Sequence, residues 1–205
     1  MNIHLHRGDL PAGLKFTAGA AIAVDTETMG LNLHRDRLCL VQLSADGQEA
    51  HLVQIAPGQT SAPNLQRLLE DPTHLKIFHY ARFDLAMLKR HLGIAVAPVY
   101  CTKLASRLVR TYTDRHGLKD LCRELLGLDL SKQQQSSDWG APDLSEAQLE
   151  YAAADVAHLH ALRRHLDDML ARTGRNELAA ACFAFLPTRA DLDLAGWPEE
   201  DIFAH

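Results

Sequence analysis

Apolar positions along the chain fall into short runs separated by polar turns, and the period of each run predicts an element. Residues 20–25 (AAIAVD) are apolar until the last, the pattern of a buried strand, and they stop at Asp25-Thr26-Glu27-Thr28 just before Gly30. The runs 38–44 (LCLVQLS) and 49–55 follow, joined by Ala45-Asp46-Gly47-Gln48, and an Asp-Gly pair between two apolar runs predicts a β-hairpin. A helix over 63–70, a fourth strand over 75–79 and a helix over 81–92 come next. That helix places Ala81, Leu85, Leu88 and Leu92 on one stripe and stops at Gly93. A fifth strand over 99–102 precedes helices at 103–111 and 117–126, the second ended by Gly127.

The stretch 131–143 (SKQQQSSDWGAPD) is nearly devoid of apolar residues and reads as a loop. Ser145 and Gln148 then form a capping-box pattern that opens a long helix, 146–171, with Leu149, Val156, Leu159, Leu166, Met169 and Leu170 among its apolar positions. A last helix near 175–185 is expected to give way to a tail containing Pro187, Gly196 and Pro198. The sum is an α/β chain: a mixed five-stranded sheet, three antiparallel strands and then parallel ones, covered by helices.

Composition narrows the class. The 205 residues are 47% hydrophobic and 23% charged, which excludes intrinsic disorder, collagen-like repeats and coiled coil, and fits one domain over 1–205. Cys39, Cys101, Cys122 and Cys182 lack CxxC spacing and read as reduced, buried thiols. The first ten residues, MNIHLHRGDL, do not resemble a secretory leader, and the longest apolar run, 178–186, is too short to span a bilayer. The expectation is a cytoplasmic chain with no membrane partner. Twenty-one Lys and Arg against 26 Asp and Glu give a net charge of −5, which by itself argues against a protein that coats phosphates.

Carboxylates carry the candidate chemistry. Asp25 and Glu27 lie two apart at a strand end, so both side chains share one face of the sheet. Side by side they repel, and both stay ionised only with a cation between them; the plain alternative is an acidic surface turn. Asp84, in HYARFD, opens a helix after a strand and borders its apolar stripe, where a dipole-favoured first-turn acid is the plain alternative. Tyr151 and Asp155 are four apart on the long helix, hence on one face, beside Ala152, Ala153 and Ala154, which let a ligand or a backbone approach.

Taken in order, DTE after a strand, FD in the next strand-to-helix unit and YxxxD on a late helix resemble the DEDDy class of 3′→5′ exonucleases. Within that class the chain is similar to the ribonuclease D group, whose fold resembles ribonuclease H. The three motifs span 25–155; HGLKDLCRELLG at 116–127, KQQQSSDW at 132–139 and the closing FLPTRADLDLAGWPEEDIFAH also resemble that group.

The resemblance implies that Asp25, Glu27, Asp84 and Asp155 hold two divalent ions, Mg²⁺ or Mn²⁺, and that Tyr151 orients the attacking water. Such ions prefer oxygen ligands, and a pair of them can stabilise both the attacking and the leaving oxygen of an in-line displacement. Two divalent ions would cancel the four carboxylate charges and bring the net charge from −5 to near −1. The implied partner is the 3′ end of a single-stranded nucleic acid, RNA ahead of DNA. Between 103 and 132, seven basic residues (Lys103, Arg107, Arg110, Arg115, Lys119, Arg123, Lys132) face four acids, a local excess of three. Lys132 is the expected phosphate contact, and Trp139, Phe83, Met29 and Leu31 offer apolar surface to terminal bases, although Trp139 could equally pin its loop to the core. Thr28 and His79 complete the expected substrate contacts.

The larger ribonuclease D-like proteins carry further helical nucleic-acid-binding domains, whereas only 50 residues follow Asp155 here. No such domain is expected, so substrate holding falls to the core alone or to self-association into a homo-oligomer. Competing readings are an exonuclease on single-stranded DNA, a binding module without chemistry, and a transition-metal site on His4/His6 or His158/His160/His165. All five motif positions are filled, which disfavours the binding module. His158 and His160 point to different helix faces, which disfavours the last.

Overall fold

The apolar run after Ala20 becomes strand β2 (Ile22–Thr28), whose first three residues are fully buried. It lies at the middle of a sheet that carries the rest of the molecule. Strands β3 (Leu38–Ser44) and β4 (Glu49–Gln54) follow it in antiparallel pairing, with Val24 opposite Leu43 and Val41 opposite Val53. On the other side of β2, β5 (Lys76–Phe78) and β6 (Val99–Cys101) are parallel to it and to each other. The computed structural model describes residues 1–131 and 133–205.

The mixed α/β architecture expected from the sequence is present, but the sheet has six strands rather than five. The extra strand, β1 (Asn2–Arg7), runs parallel to β4 at the sheet edge, from Asn2 opposite Glu49 to Arg7 opposite Gln54, giving the order β1-β4-β3-β2-β5-β6. An edge strand buries little, so its sequence NIHLHR lacks the apolar run that marks a central strand.

Seven helices cover the sheet among the described residues: α1 (Pro63–Glu70), α2 (Ala81–Leu92), α3 (Thr102–Val109), α4 (Leu118–Leu121), α5 (Glu146–Ala157), α6 (Leu159–Arg172) and α7 (Asn176–Leu194). A π-type turn over Cys122–Leu126 extends α4. Helix α5 packs against β2, β3 and β4, α2 packs against α7, and α3 against α6.

Two helix expectations need correction. The long helix predicted over 146–171 is divided at His158, which leaves helical geometry at φ −106° and ψ −5°. No breaker residue stands there; the β3–β4 hairpin approaches the end of α5 so closely that a Cβ added at Gly47 would lie 2.6 Å from the Ala157 carbonyl oxygen. Helix α7, in turn, continues through Pro187 to Leu194. Pro187 removes one backbone donor, while Phe183, Leu186 and Ala190 are buried around it and buried Asp193 is clamped by Arg82 and Arg189 beyond it. Tertiary packing on both sides of the proline outweighs the local loss.

Cys39, Cys101 and Cys122 are buried free thiols as expected, and Cys182 is half-exposed. No helix among the described residues is long and apolar enough to cross a membrane.

Candidate active site

Strand alternation places Asp25 and Glu27 on one face of β2, opposite Gln42 and Leu40 of β3. A bulge between Glu27 and Thr28 shifts the register, after which Thr28 faces Leu38 and the Met29 amide donates to the Arg37 carbonyl. Helix α5 lies over this face, and its Tyr151 and Asp155, one turn apart, are presented to the two acids. Carboxylate oxygens of Asp25, Glu27 and Asp155 all lie within 4.8 Å of one another. The Tyr151 hydroxyl stands close enough to Asp155 to hold its carboxylate down in pKa.

Asp84 reaches the same cleft from α2 and is almost fully buried, on the inner side of its helix with Leu85 and Leu88. It lies outside the close trio. Its position is fixed by Thr26, whose hydroxyl donates to Asp84 Oδ1 at 2.6 Å. The residue between the two strand acids therefore anchors the helix acid.

Burial raises the pKa of every one of these carboxyl groups. Asp25 is displaced well upward by desolvation and then by Asp84, Asp155 and Glu27; Glu27 is pushed up to about 9 by desolvation and by Asp155 and Asp84. Asp84 and Asp155 rise to about 7, each through desolvation, partly offset by the hydrogen bonds from Thr26 and Tyr151 respectively. Four acids gathered out of water in this way are a destabilising arrangement for the bare protein. A bound divalent cation would reverse the cost, and an all-oxygen donor set of this density fits a hard ion such as Mg²⁺ or Mn²⁺. The Tyr151 phenol is likewise pushed up by desolvation and by Asp155, Glu27 and Asp25, so it stays protonated and able to donate.

The cleft around these groups has a volume of about 680 Å³. Asp25, Glu27, Thr28, Met29, Leu31, His79, Phe83, Asp84, Trp139, Tyr151 and Asp155, residues singled out in the sequence, all line it. Lys132, the expected phosphate contact, lies outside the described residues.

The loop after β2 presents Met29 and Leu31 to solvent, Leu31 being 82% exposed, and the Thr28 hydroxyl braces it by donating to the Gly30 carbonyl at 2.6 Å. Position 30 must be glycine here, because a Cβ would sit 2.3 Å from Asp36 Oδ2. His79 is hydrogen-bonded to Thr102 Oγ1 at 2.9 Å, and desolvation together with Lys103 lowers its pKa to about 3, so it is neutral.

Of the two roles open to Trp139, the structure favours the structural one. Its side chain is buried and packs against the Tyr151 ring at a centroid distance of 6.0 Å, leaving the exposed apolar surface to Met29, Leu31 and half-buried Phe83. The capping box explains how the loop is held. Ser145 and Gln148 cap α5 reciprocally, and the Gln148 side-chain amide also donates to the Asp138 carbonyl at 3.1 Å.

The histidine alternative finds no support. His160 is bonded to the Ala21 carbonyl, and His4 and His6 stack on His51 across β1 and β4. Among the described residues the carboxylate trio is the one group of His, Cys, Asp or Glu side chains close enough to share an ion.

Three contributors escape sequence reasoning: Thr26, Gln42 and the second role of Gln148. Gln42 is fully buried opposite Asp25, and neither its amide nitrogen nor its amide oxygen has a partner. A polar residue inside the apolar run LCLVQLS is the signal available for it.

Comparison with known proteins gives a concordant picture. The profile of a 3′-5′ exonuclease family matches residues 12–171. A ribonuclease D of Gluconacetobacter diazotrophicus is 38% identical over 165 residues, which is 80% of this chain and 42% of that protein. The chain thus spans less than half the length of that curated relative. Among solved structures, Brucella melitensis NrnC with bound Mg²⁺ is 56% identical with a TM-score of 0.95, covering 100% of both chains. The same protein bound to pGG is 57% identical with a TM-score of 0.95, covering 100% of this chain and 99% of that one. With a matched profile over most of its length and the acidic cleft in the matching fold, the chain belongs to the 3′-5′ exonuclease family.

Proposed function

We propose that the chain is a metal-dependent 3′→5′ exoribonuclease that removes 5′-monophosphates from the 3′ ends of single-stranded RNA. One observation carries the reading. Three carboxylates from two elements converge within 4.8 Å beside Tyr151, in an open cleft. Two divalent ions, Mg²⁺ or Mn²⁺, would supply charge stabilisation at the attacking and leaving oxygens when bound.

The protein's own residues divide the remaining work. Asp25, Glu27 and Asp155 form the oxygen set that would hold the ions, and Thr26 keeps Asp84 aimed at the same cleft. Tyr151, protonated and beside Asp155, orients the attacking water. Met29, Leu31 and Phe83 provide the apolar edge against which terminal bases rest. RNA is favoured over DNA by curated relatives named ribonuclease D, and NrnC was captured with pGG. The buried free thiols of Cys39, Cys101 and Cys122 suit the reducing cytoplasm.

The test is hydrolysis of 5′-labelled single-stranded RNA and DNA of one sequence, each with Mg²⁺, Mn²⁺ or a chelator. A metal-dependent ladder on RNA is expected. Stronger cutting of DNA would move the substrate class, and cutting that survives chelation would remove the metal from the mechanism.

A further inference from the structure

A second cavity of about 580 Å³ adjoins the catalytic cleft, and the two share Tyr80 and Lys103. It lies between α3 and α7, with Leu104, Phe185 and Leu186 on its walls. Its chemistry is apolar with a cationic rim. Lys103 and Arg107 stand one turn apart on α3, and the Lys103 pKa is lowered by burial and then by the like charge of Arg107. Neither makes an ion pair among the described residues. On the opposite rim, Arg82 and Arg189 converge on the carboxylate of Asp193 and also donate to backbone carbonyls of Pro198 and Trp197, so these two cations are already committed and the free positive charge of the groove is that of α3.

The aromatic groups are exposed where the two cavities meet and beyond. Tyr80 holds a left-handed backbone, φ 71°, unusual for a residue with a side chain; the residue is 45% exposed, and the Lys103 ammonium covers one face of its ring at 4.2 Å, leaving the other face to a base. Phe185 is 39% exposed on the far wall. Stacking faces alternating with unpaired cations are what a single strand requires of a sequence-independent track. In a protein of net charge −5, the retention of like charges side by side calls for an anionic occupant.

We infer that this groove carries the part of the RNA strand upstream of the nucleotides held in the catalytic cleft, its phosphates against Lys103 and Arg107 and its bases against Tyr80 and Phe185. The inference rests on the exoribonuclease reading and extends it, because continuity through Tyr80 and Lys103 makes the groove the next surface a longer strand meets. A dinucleotide filling the cleft would not reach Arg107, which does not line the catalytic cavity.

The experiment separates strand length from chemistry. Binding of a 5′-labelled ten-nucleotide RNA is followed by anisotropy with calcium replacing magnesium, and hydrolysis of pGG is followed with magnesium, for the wild type and for Arg107→Glu. Arg107 is exposed, so the variant is expected to fold. The variant should weaken ten-mer binding by about tenfold and flatten its log–log salt dependence by about 0.7, the amount due to one phosphate that is no longer neutralised. Its kcat/KM on pGG should stay within about twofold of wild type, since the cleft is untouched. Unchanged ten-mer affinity would overturn the inference, as would a parallel fall in pGG turnover. A change in oligomeric mass with unchanged ten-mer affinity would overturn it too and would make the groove an interface between copies. A wild type that binds the ten-mer through Arg107 yet cuts neither strand would instead sink the exoribonuclease reading and leave the groove supported.

Discussion

Thr26 donates its hydroxyl to Asp84 Oδ1 at 2.6 Å, a buried bond that ties β2 to α2 from the residue lying between the two strand acids. The bond favours the ionised form of Asp84 against the desolvation that lifts its pKa to about 7. Thr26→Val keeps the branched shape and deletes the donor. Asp84 should then protonate more readily, the acid limb of the pH–rate profile should move to higher pH, and kcat/KM at pH 7 should fall by about tenfold. An unchanged profile would show that Asp84 is held by packing alone.

Asp25→Asn removes a carboxyl group that burial and three acidic neighbours displace well upward. Without metal, the neighbouring carboxyl groups lose a repulsive partner, so the variant should melt above the wild type by a few degrees while turnover is abolished. Scanning calorimetry in chelator checks the first half and RNA hydrolysis the second. A less stable variant would mean that Asp25 is held by favourable contacts rather than strained.

The pH dependence of the metal-free protein follows from the same groups. Their folded pKa values lie above the ordinary carboxylate values of 3.8 and 4.5, at about 7 for Asp84 and Asp155 and about 9 for Glu27. The folded state therefore binds more protons than the unfolded state between those limits, and its stability falls as pH rises from about 4 to 9. Melting temperature in chelator should decline over that window. Saturating Mg²⁺ should flatten the decline, because an ion in the cleft stabilises the ionised set.

Much of this is legible in the sequence, for reasons that the structure makes specific. Asp25 and Glu27 share a face because strand side chains alternate, and the Ser145–Gln148 capping box forms as its spacing predicts, since both features depend on neighbouring residues alone. What depends on distant contacts is not legible. The β1 edge strand carries polar residues, the division at His158 falls where the β3–β4 hairpin meets the end of α5, and α7 survives Pro187 through packing on either side. Thr26 gives no signal for a related reason: its partner Asp84 is 58 residues away in the chain.

Tyr151 carries no charge at neutral pH, so its replacement separates aim from metal binding. Tyr151→Phe keeps the ring against Trp139 and removes the hydroxyl beside Asp155. The variant should bind Mn²⁺ like the wild type by calorimetry and lose at least about a hundredfold in kcat. Retention of most activity would reduce Tyr151 to a packing role.

Attack at a free 3′ end by the acidic cleft underlies each of these expectations, and dependence on the end group probes it without intermediate assumptions. Three forms of one RNA, 5′-labelled with a 3′-hydroxyl end, 5′-labelled with a 3′-phosphate end, or internally labelled and closed into a circle, are incubated with the protein and Mg²⁺. Stepwise shortening of the first with release of 5′-monophosphates, blockage of the second and an intact circle are expected. Cuts within the circle, or equal attack on the 3′-phosphate form, would refute attack from the 3′ end.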